Sequence, residues 1–135
     1  MLWFPELVEE ASNFHDFFTN PNHKIRDVRN VWLLNYRNFG DSDHHDSFNM
    51  HDISQDIVRF MDDHQITMAT IGGHGFGGKV ATATASLNLN RFTGVVSFDS
   101  GPIDHRYHEA YRELVSYVDF AHSLNLSQFK DTASA

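Results

Sequence analysis

Hydrophobic and polar residues follow two patterns along the chain: short apolar runs, and longer segments with apolar residues at helical spacing. The apolar runs predict three buried strands, at about residues 31–36, 66–71 and 92–98. The clearest helix is predicted from Asp52 to His64, where apolar residues recur every three or four positions. Strands that alternate with helices predict an α/β fold with a parallel sheet and crossover helices.

The remaining segments are predicted to be helical or terminal. Residues 1–20 form a predicted helical N-terminal segment that ends before Pro21, and a small-residue helix is expected from Lys79 to Leu87. A further helix is predicted over residues 105–122, and its apolar stripe is either the inside of a lid or a partner surface. That stripe consists of Tyr107, Tyr111, Leu114, Val115, Val118 and Ala121. With a tail at 123–135, the chain 1–135 is predicted to be a single domain.

Composition narrows the possible partners. The formal net charge of −8 with neutral histidines argues against nucleic acid as a direct partner, because phosphate backbones repel an acidic surface. The absence of cysteine excludes disulfides and thiolate metal sites. No run of residues approaches the roughly 20 apolar residues of a membrane helix. The first residues do not form a secretory signal, although an internal import signal or a removed presequence stays open.

A glycine-rich turn follows the second predicted strand and precedes the small-residue helix. Its sequence is Gly73-His74-Gly75-Phe76-Gly77. A strand, a tight turn and a helix form the context of the nucleophile elbow, G-x-S-x-G, in which a serine oxygen attacks a carbonyl carbon. The flanking glycines allow the strained turn and the close approach of the helix. The serine position of this frame holds Gly75.

The chain resembles the α/β-hydrolase family, in its small esterase branch with a Gly-His-Ser-Met-Gly-Gly elbow. Residues 35–42 are similar to the family's D-x-R-x-x-G-x-S segment, and residues 52–64 to the helix after it. Residues 95–99 with Pro102 are similar to the sixth strand and its V-D-x-x-P ending. Residues 105–121 then resemble the start of the lid, so that the resemblance covers roughly Phe14 to Ala121.

Two departures from the family determine the functional prediction. Gly75 has no side-chain oxygen, so no acyl intermediate can form there. The resemblance therefore implies a pseudoenzyme, which is not an enzyme, with no catalytic residue, no cofactor and no metal. Its vestigial elbow comprises Gly73, His74, Gly75, Phe76 and Gly77. The family's acid and catalytic histidine follow later strands, which residues 123–135 do not resemble.

The second departure concerns the sheet itself. In the family, strand three lies between strands four and five and is followed by the other oxyanion donor, but nothing before Phe14 resembles that region. An empty position between the first two predicted strands would bury unpaired backbone groups, at roughly 1–3 kcal/mol for each. The sequence thus predicts that another protein chain inserts the missing strand and adds strands beyond Phe98.

Several polar residues have a chemical interpretation and a simpler one. A solvated loop is favoured over a metal site for His44, His45, Asp46 and His51. A lid surface is favoured over chelation for His105 and His108. Packing and hydrogen bonding are favoured over a general-base role for His74, and a turn or capping role is favoured for Asp99. Neither Ser97 nor Ser100 lies on an elbow, which argues against a replacement nucleophile.

Three functions fit these observations. The first is a catalytically inactive, hydrolase-like structural subunit of a larger protein complex, placed in mitochondria because esterases of the similar branch occur there. The second is half of an esterase or thioesterase assembled in trans, with its nucleophile from a partner or from water. The third is a module that binds an apolar ligand in the space that Gly75 leaves open.

Overall fold

The computed structural model describes residues 1–7 and 9–101, together with four later positions. The chain divides into two compact units, Met1–Pro102 and Ile103–Ala135. In the second unit the described positions are helical: Ser116, Asp119, Phe120 and Ser123. Most of the predicted lid-like helix at 105–122 and of the tail, with His105 and His108, lies outside the described residues. The single-domain organisation therefore stays a prediction.

Among the described residues, four parallel strands form one sheet. They are β1 (Leu2–Phe4), β2 (Trp32–Leu33), β3 (Ala69–His74) and β4 (Phe92–Phe98). Their order across the sheet is β2-β1-β3-β4, and every neighbouring pair is parallel. The described helices are α1 (His15–Thr19), α2 (Ile25–Val28), α3 (Met50–Asp63) and α4 (Phe76–Leu87), with 3₁₀ helices at Ala11–Phe14 and Pro21–His23. The α/β architecture predicted from the sequence is confirmed.

The three predicted strands are present, two of them with altered bounds. β4 has the predicted bounds, whereas β2 is only two residues long. β3 begins at Ala69 instead of 66, because the N–H of Ile66 still donates to Met61 O (2.7 Å) in the turn that ends α3. The helix predicted from Lys79 begins earlier, at Phe76, directly after Gly75 of the glycine-rich turn.

The position between β2 and β3 is filled by this chain itself, so the prediction that another chain inserts the missing strand is wrong. Leu2 pairs with both Trp32 and Ile71 in register, and the N–H of Trp32 donates to Met1 O (2.9 Å). Leu2 and Phe4 are at most 2% exposed. The expected helical N-terminal segment is therefore a strand at 2–4, followed by helices within 11–19. The apolar run of β1 is too short to be recognised by its pattern.

One apolar face of α3 forms much of the core beneath the sheet. Ile53, Ile57 and Met61 are at most 3% exposed. Fully burying a side chain of this type stabilises a fold by about 1.5–3 kcal/mol relative to exposure. The helix begins after Asn49, whose side-chain oxygen accepts the N–H of Asp52 (2.9 Å) and caps the helix. The core thus holds α3 against the same sheet that carries the glycine-rich turn.

None of the helices in the described part of the chain combines the length and hydrophobicity that crossing a membrane requires.

Candidate functional site

The glycine-rich turn has the backbone geometry of an elbow. β3 ends at His74, α4 begins at Phe76, and Gly75 between them has φ 52° and ψ −115°. Side chains of L-residues rarely adopt a positive φ with this ψ, whereas glycine adopts it at little cost. The N–H of Gly75 donates to Phe98 O (2.9 Å), which ties the turn to the end of β4. The strand, turn and helix therefore meet in the sharp arrangement that the motif predicts.

The glycines on both sides of the turn allow the close approach of three elements. A Cβ atom on Gly73 would overlap the backbone of Gly77. A Cβ atom on Gly77 would overlap the carbonyl oxygens of Phe4 and Pro5. The first turn of α4 consequently lies directly against the end of β1, and side chains at these two positions would push the elements apart.

Two backbone N–H groups from different elements converge on one carboxylate. The N–H of Phe76, at the start of α4, donates to Glu6 Oε2 (2.8 Å). The N–H of Leu7, after β1, donates to Glu6 Oε1 (2.7 Å). The positive end of the helix dipole also favours a negative charge at this place. We call the two N–H groups of Leu7 and Phe76 the oxyanion cradle, because paired donors of this kind bind the oxyanion of acyl-transfer reactions.

The second donor of the cradle corrects the prediction that nothing before Phe14 resembles the family's oxyanion region. In the α/β-hydrolase elbow, one donor is the N–H after the nucleophile and the other comes from the loop after the third strand. Phe76 and Leu7 occupy these places here. Sequence reasoning missed Leu7 because a backbone N–H has no residue signature. The upstream apolar run Leu2–Phe4 is too short to have located it, because three residues do not establish a strand pattern.

The Glu6 carboxylate also fills the space that a side chain at residue 75 would need. A Cβ atom built on Gly75 would overlap Glu6 Oε2. The carboxylate can therefore reach the N–H of Phe76 only because residue 75 is glycine. The space expected to hold an apolar ligand contains a charged group of the chain itself.

His74 lies next to this carboxylate-bearing segment in a small polar cluster. Its Nδ1 is 3.3 Å from Glu9 Oε2, and its Nε2 is 3.8 Å from Asp99 Oδ2. Glu9 Oε2 also accepts the N–H of Glu6 (3.2 Å). The imidazole is flanked by the ring of Phe14, with centroids 6.1 Å apart. One carboxylate oxygen of Glu9 therefore contacts both the His74 ring and the backbone N–H of Glu6, the residue whose side chain occupies the cradle.

The other polar residues singled out in the sequence do not join the cradle. Ser97 Oγ donates to Ser100 O (2.6 Å) in the turn after β4, and Asp99 is at φ 54° in the same turn. In the loop before α3, the N–H of His45 donates to Asn38 Oδ1 (2.6 Å). His44, Asp46 and His51 are exposed. Within residues 1–7 and 9–101, no three potential ligands among His, Asp and Glu are grouped to hold a metal ion.

Tyr36 holds the end of β1 in place behind the cradle. Its hydroxyl donates to Pro5 O (2.6 Å), and its ring stacks on Phe4 with centroids 5.6 Å apart. Burial raises the pKa of the Tyr36 hydroxyl, and the negative charge of Glu6 raises it further. The hydroxyl therefore stays protonated and donates over the whole physiological pH range.

Arg37 fixes the segment that follows β2 onto α3. Its Nε and Nη2 atoms donate to the two oxygens of Asp56, at 2.6 and 2.7 Å. A planar guanidinium makes such a two-bond contact with a carboxylate, which restricts orientation as well as distance. The hydrogen bond to Asp56 raises the pKa of Arg37. The contact ties the segment that also contains Tyr36 to α3.

Comparison with known proteins places the sequence in one family. The family model described as "alpha/beta hydrolase fold" matches residues 7–132. "Esterase YbfF" of Escherichia coli is 34% identical over 76 residues, which are 56% of this chain and 30% of that protein. A "Probable alcohol acetyltransferase" of Saccharomyces cerevisiae is 31% identical over 102 residues, or 73% of this chain and 28% of that protein.

Solved structures show the same fold. The structure of a "Marine microorganism esterase" matches with a TM-score of 0.78 at 20% identity, over 96% of this chain and 49% of that one. A thermophilic esterase from Thermogutta terrifontis matches with a TM-score of 0.67 at 20% identity, over 87% of this chain and 43% of that one. The chain thus spans about half the length of these structures and less than a third of the two curated relatives.

The names of these relatives contradict one prediction. Both curated relatives are named for a catalytic activity. The prediction that the chain is a pseudoenzyme and not an enzyme is therefore wrong. The missing oxygen at Gly75 excludes one nucleophile position, whereas the N–H donors of Leu7 and Phe76 are both present.

Proposed function

The chain belongs to the α/β-hydrolase family, and on that premise we propose that it is the elbow-bearing part of a protein that cleaves or transfers acyl esters. The observation that carries this proposal is the oxyanion cradle, in which the N–H groups of Phe76 and Leu7 lie 2.8 and 2.7 Å from the oxygens of one carboxylate. Relatives named esterase and alcohol acetyltransferase support the acyl-ester class, with water or an alcohol as the acyl acceptor.

The cradle supplies the electrostatic part of such a reaction. When an oxygen nucleophile adds to an ester carbonyl, negative charge develops on the carbonyl oxygen, and fixed N–H donors stabilise it without reorganisation. In a serine protease, the removal of one such donor lowers kcat by about 10²–10³. Because Gly75 supplies no oxygen, the attacking group in this proposal is water, which is available to the purified chain.

Hydrolysis of p-nitrophenyl acetate by the purified chain tests the proposal. Gly77→Ala places a Cβ atom against the carbonyl oxygens of Phe4 and Pro5 and should displace the cradle. We expect this variant to lose at least about tenfold of the rate, as the loss of a cradle donor implies. Gly94→Ala is the matched control, because its Cβ atom would meet only Thr70 Cγ2, at 3.8 Å. Native turnover no faster than buffer, or equal turnover in both variants, would argue against the proposal.

The proposal also extends to a partner and a location. Further strands beside β4 would come from another chain or from another part of the same protein, and the expected mitochondrial placement stays a prediction. Affinity purification of the native protein, followed by mass spectrometry and cell fractionation, tests both. A co-purifying polypeptide with the remaining hydrolase strands would support assembly in trans, and a full-length hydrolase in a single polypeptide would contradict it.

A further inference from the structure

We propose that the Glu6 side chain is an internal lock on the oxyanion cradle, which an ester carbonyl or a small acid must displace before it can bind. The biological meaning of the lock rests on the proposed function, because only a reacting ester needs the cradle. The lock itself is a competition between two oxygen acceptors for the same two donors, and binding alone can measure it.

The first argument is that both donors are already in use. Phe76 donates to Glu6 Oε2 at 2.8 Å, and Leu7 donates to Oε1 at 2.7 Å. These are short hydrogen bonds to an acceptor that carries charge when ionised, and such bonds are about twice as strong as neutral ones. An incoming carbonyl oxygen is a weaker acceptor than a carboxylate and cannot share these donors without lengthening both bonds.

The second argument is steric. Glu6 Oε2 lies where the side chain of residue 75 would begin, on the side of the turn from which an elbow residue reaches its substrate. An acyl carbon placed beside the cradle would meet this oxygen. The charge on Glu6 would also disfavour a developing oxyanion at the same place, since like charges repel strongly where solvent is partly excluded.

The third argument is that the lock can open by rotation of one side chain. Glu6 is only partly buried, so part of this residue already lies at the surface. The backbone around it is held independently: the N–H of Glu6 donates to Glu9 Oε2 (3.2 Å), and Pro5 O accepts the Tyr36 hydroxyl (2.6 Å). Release of the carboxylate would therefore expose the two N–H groups while β1 and α4 keep their positions.

Acetate binding, followed by the ¹⁵N amide signals of Leu7 and Phe76, tests the lock without any need for turnover. In Glu6→Ala we expect both signals to shift together and saturate, with acetate affinity at least about tenfold higher than in the native chain. Glu10→Ala is the matched control, because Glu10 contacts Ser12 and lies outside the cradle. Equal acetate affinity in native and Glu6→Ala protein, or no binding by Glu6→Ala, would overturn the lock.

A second variant keeps the test decisive if Glu6→Ala folds poorly. Gly75→Ala keeps the Glu6 side chain in the protein but adds a Cβ atom that overlaps the present position of its carboxylate. It should also release the Leu7 and Phe76 donors and increase acetate affinity. Unchanged amide signals in a folded Gly75→Ala protein would contradict the lock.

Ester turnover separates the lock from the proposed function. If both hold, Glu6→Ala hydrolyses p-nitrophenyl acetate faster than the native chain, by about tenfold. Acetate binding gained by Glu6→Ala without turnover in any variant supports the lock and contradicts the proposed function. Slower turnover in both Glu6→Ala and Glu6→Gln overturns the lock and would make the carboxylate a reacting group.

Discussion

The carboxylate of Glu6 occupies the space that any side chain at residue 75 would require, so Glu6 and Gly75 depend on each other. Glu6 comes from the loop after β1, and Gly75 lies between β3 and α4, almost seventy residues later. The contact joins two neighbouring strands at their carboxyl ends, where ligands of open α/β sheets bind. The first prediction follows from this dependence.

Gly75→Ala should destabilise the native chain more than it destabilises a Glu6→Ala chain. In both backgrounds alanine at φ 52° costs about 1–3 kcal/mol of backbone strain, but only the native chain also loses the carboxylate's hydrogen bonds. Denaturant unfolding of the two single variants and the double variant gives the coupling energy. Gly94→Ala, in β4, should change the free energy of unfolding by no more than about 0.5 kcal/mol. If the losses in free energy of unfolding from the two single substitutions add up to the loss in the double variant, Glu6 and Gly75 do not depend on each other.

Phe4→Ala should show that the N-terminal strand is part of the core. Phe4 is 2% exposed and stacks on Tyr36, so truncation should lower the free energy of unfolding by about 3–5 kcal/mol. Thermal or denaturant unfolding of the chain alone measures this. Phe17→Ala is the matched control, because Phe17 is 51% exposed, and its cost should be clearly smaller. Equal costs would mean that β1 does not occupy its place between β2 and β3 in solution.

Tyr36→Phe should lower stability at neutral pH by about 1–3 kcal/mol, since Pro5 O loses its buried donor. The variant should also change the response to alkali. The folded-state pKa of Tyr36 is raised, so above about pH 10 the unfolded chain loses this proton while the folded chain keeps it. The native chain should then lose up to about 1.4 kcal/mol per pH unit more than Tyr36→Phe.

Unfolding titrations of both proteins between neutral pH and about pH 11 check this alkaline effect. The difference between the two curves isolates Tyr36 from the other tyrosines and lysines. Parallel curves throughout this range would contradict the buried, donating hydroxyl.

Arg37→Lys should destabilise the chain by about 1–2 kcal/mol although it conserves the charge. Lysine cannot reproduce the two parallel bonds to Asp56, and the Arg37 side chain is only 11% exposed. Denaturant unfolding measures the loss. The control is Arg59→Lys on the exposed face of α3, which should be nearly neutral. If both substitutions cost the same, the two-bond contact contributes nothing beyond its charge.

The fold class was accessible from the sequence because the patterns of α3, β3 and β4 are long enough to be read. Ile53, Ile57 and Met61 repeat at the helical period, and all three are buried as that period requires. β1 could not be predicted from the sequence, because Leu2–Phe4 has only three residues and no alternation of apolar and polar positions. Its pairing with β2 and β3 is what identifies it as a central strand. The pattern of neighbouring residues does not reveal such a strand, because it is recognised only by its pairing with strands that are distant in the sequence.

The candidate site also has one part that the sequence predicts and another part that only the tertiary structure shows. The sequence by itself determined the elbow, because its glycines must precede a helix at fixed spacing, and it determined that residue 75 offers no oxygen. Only the tertiary structure decided what occupies the place of that oxygen. The Glu6 carboxylate accepts the N–H groups of both Leu7 and Phe76 because parallel pairing of β1 with β3 brings the carboxyl ends of these strands together. A backbone donor and a side chain so distant in sequence leave no joint pattern along the chain, and their meeting depends on the register of the sheet.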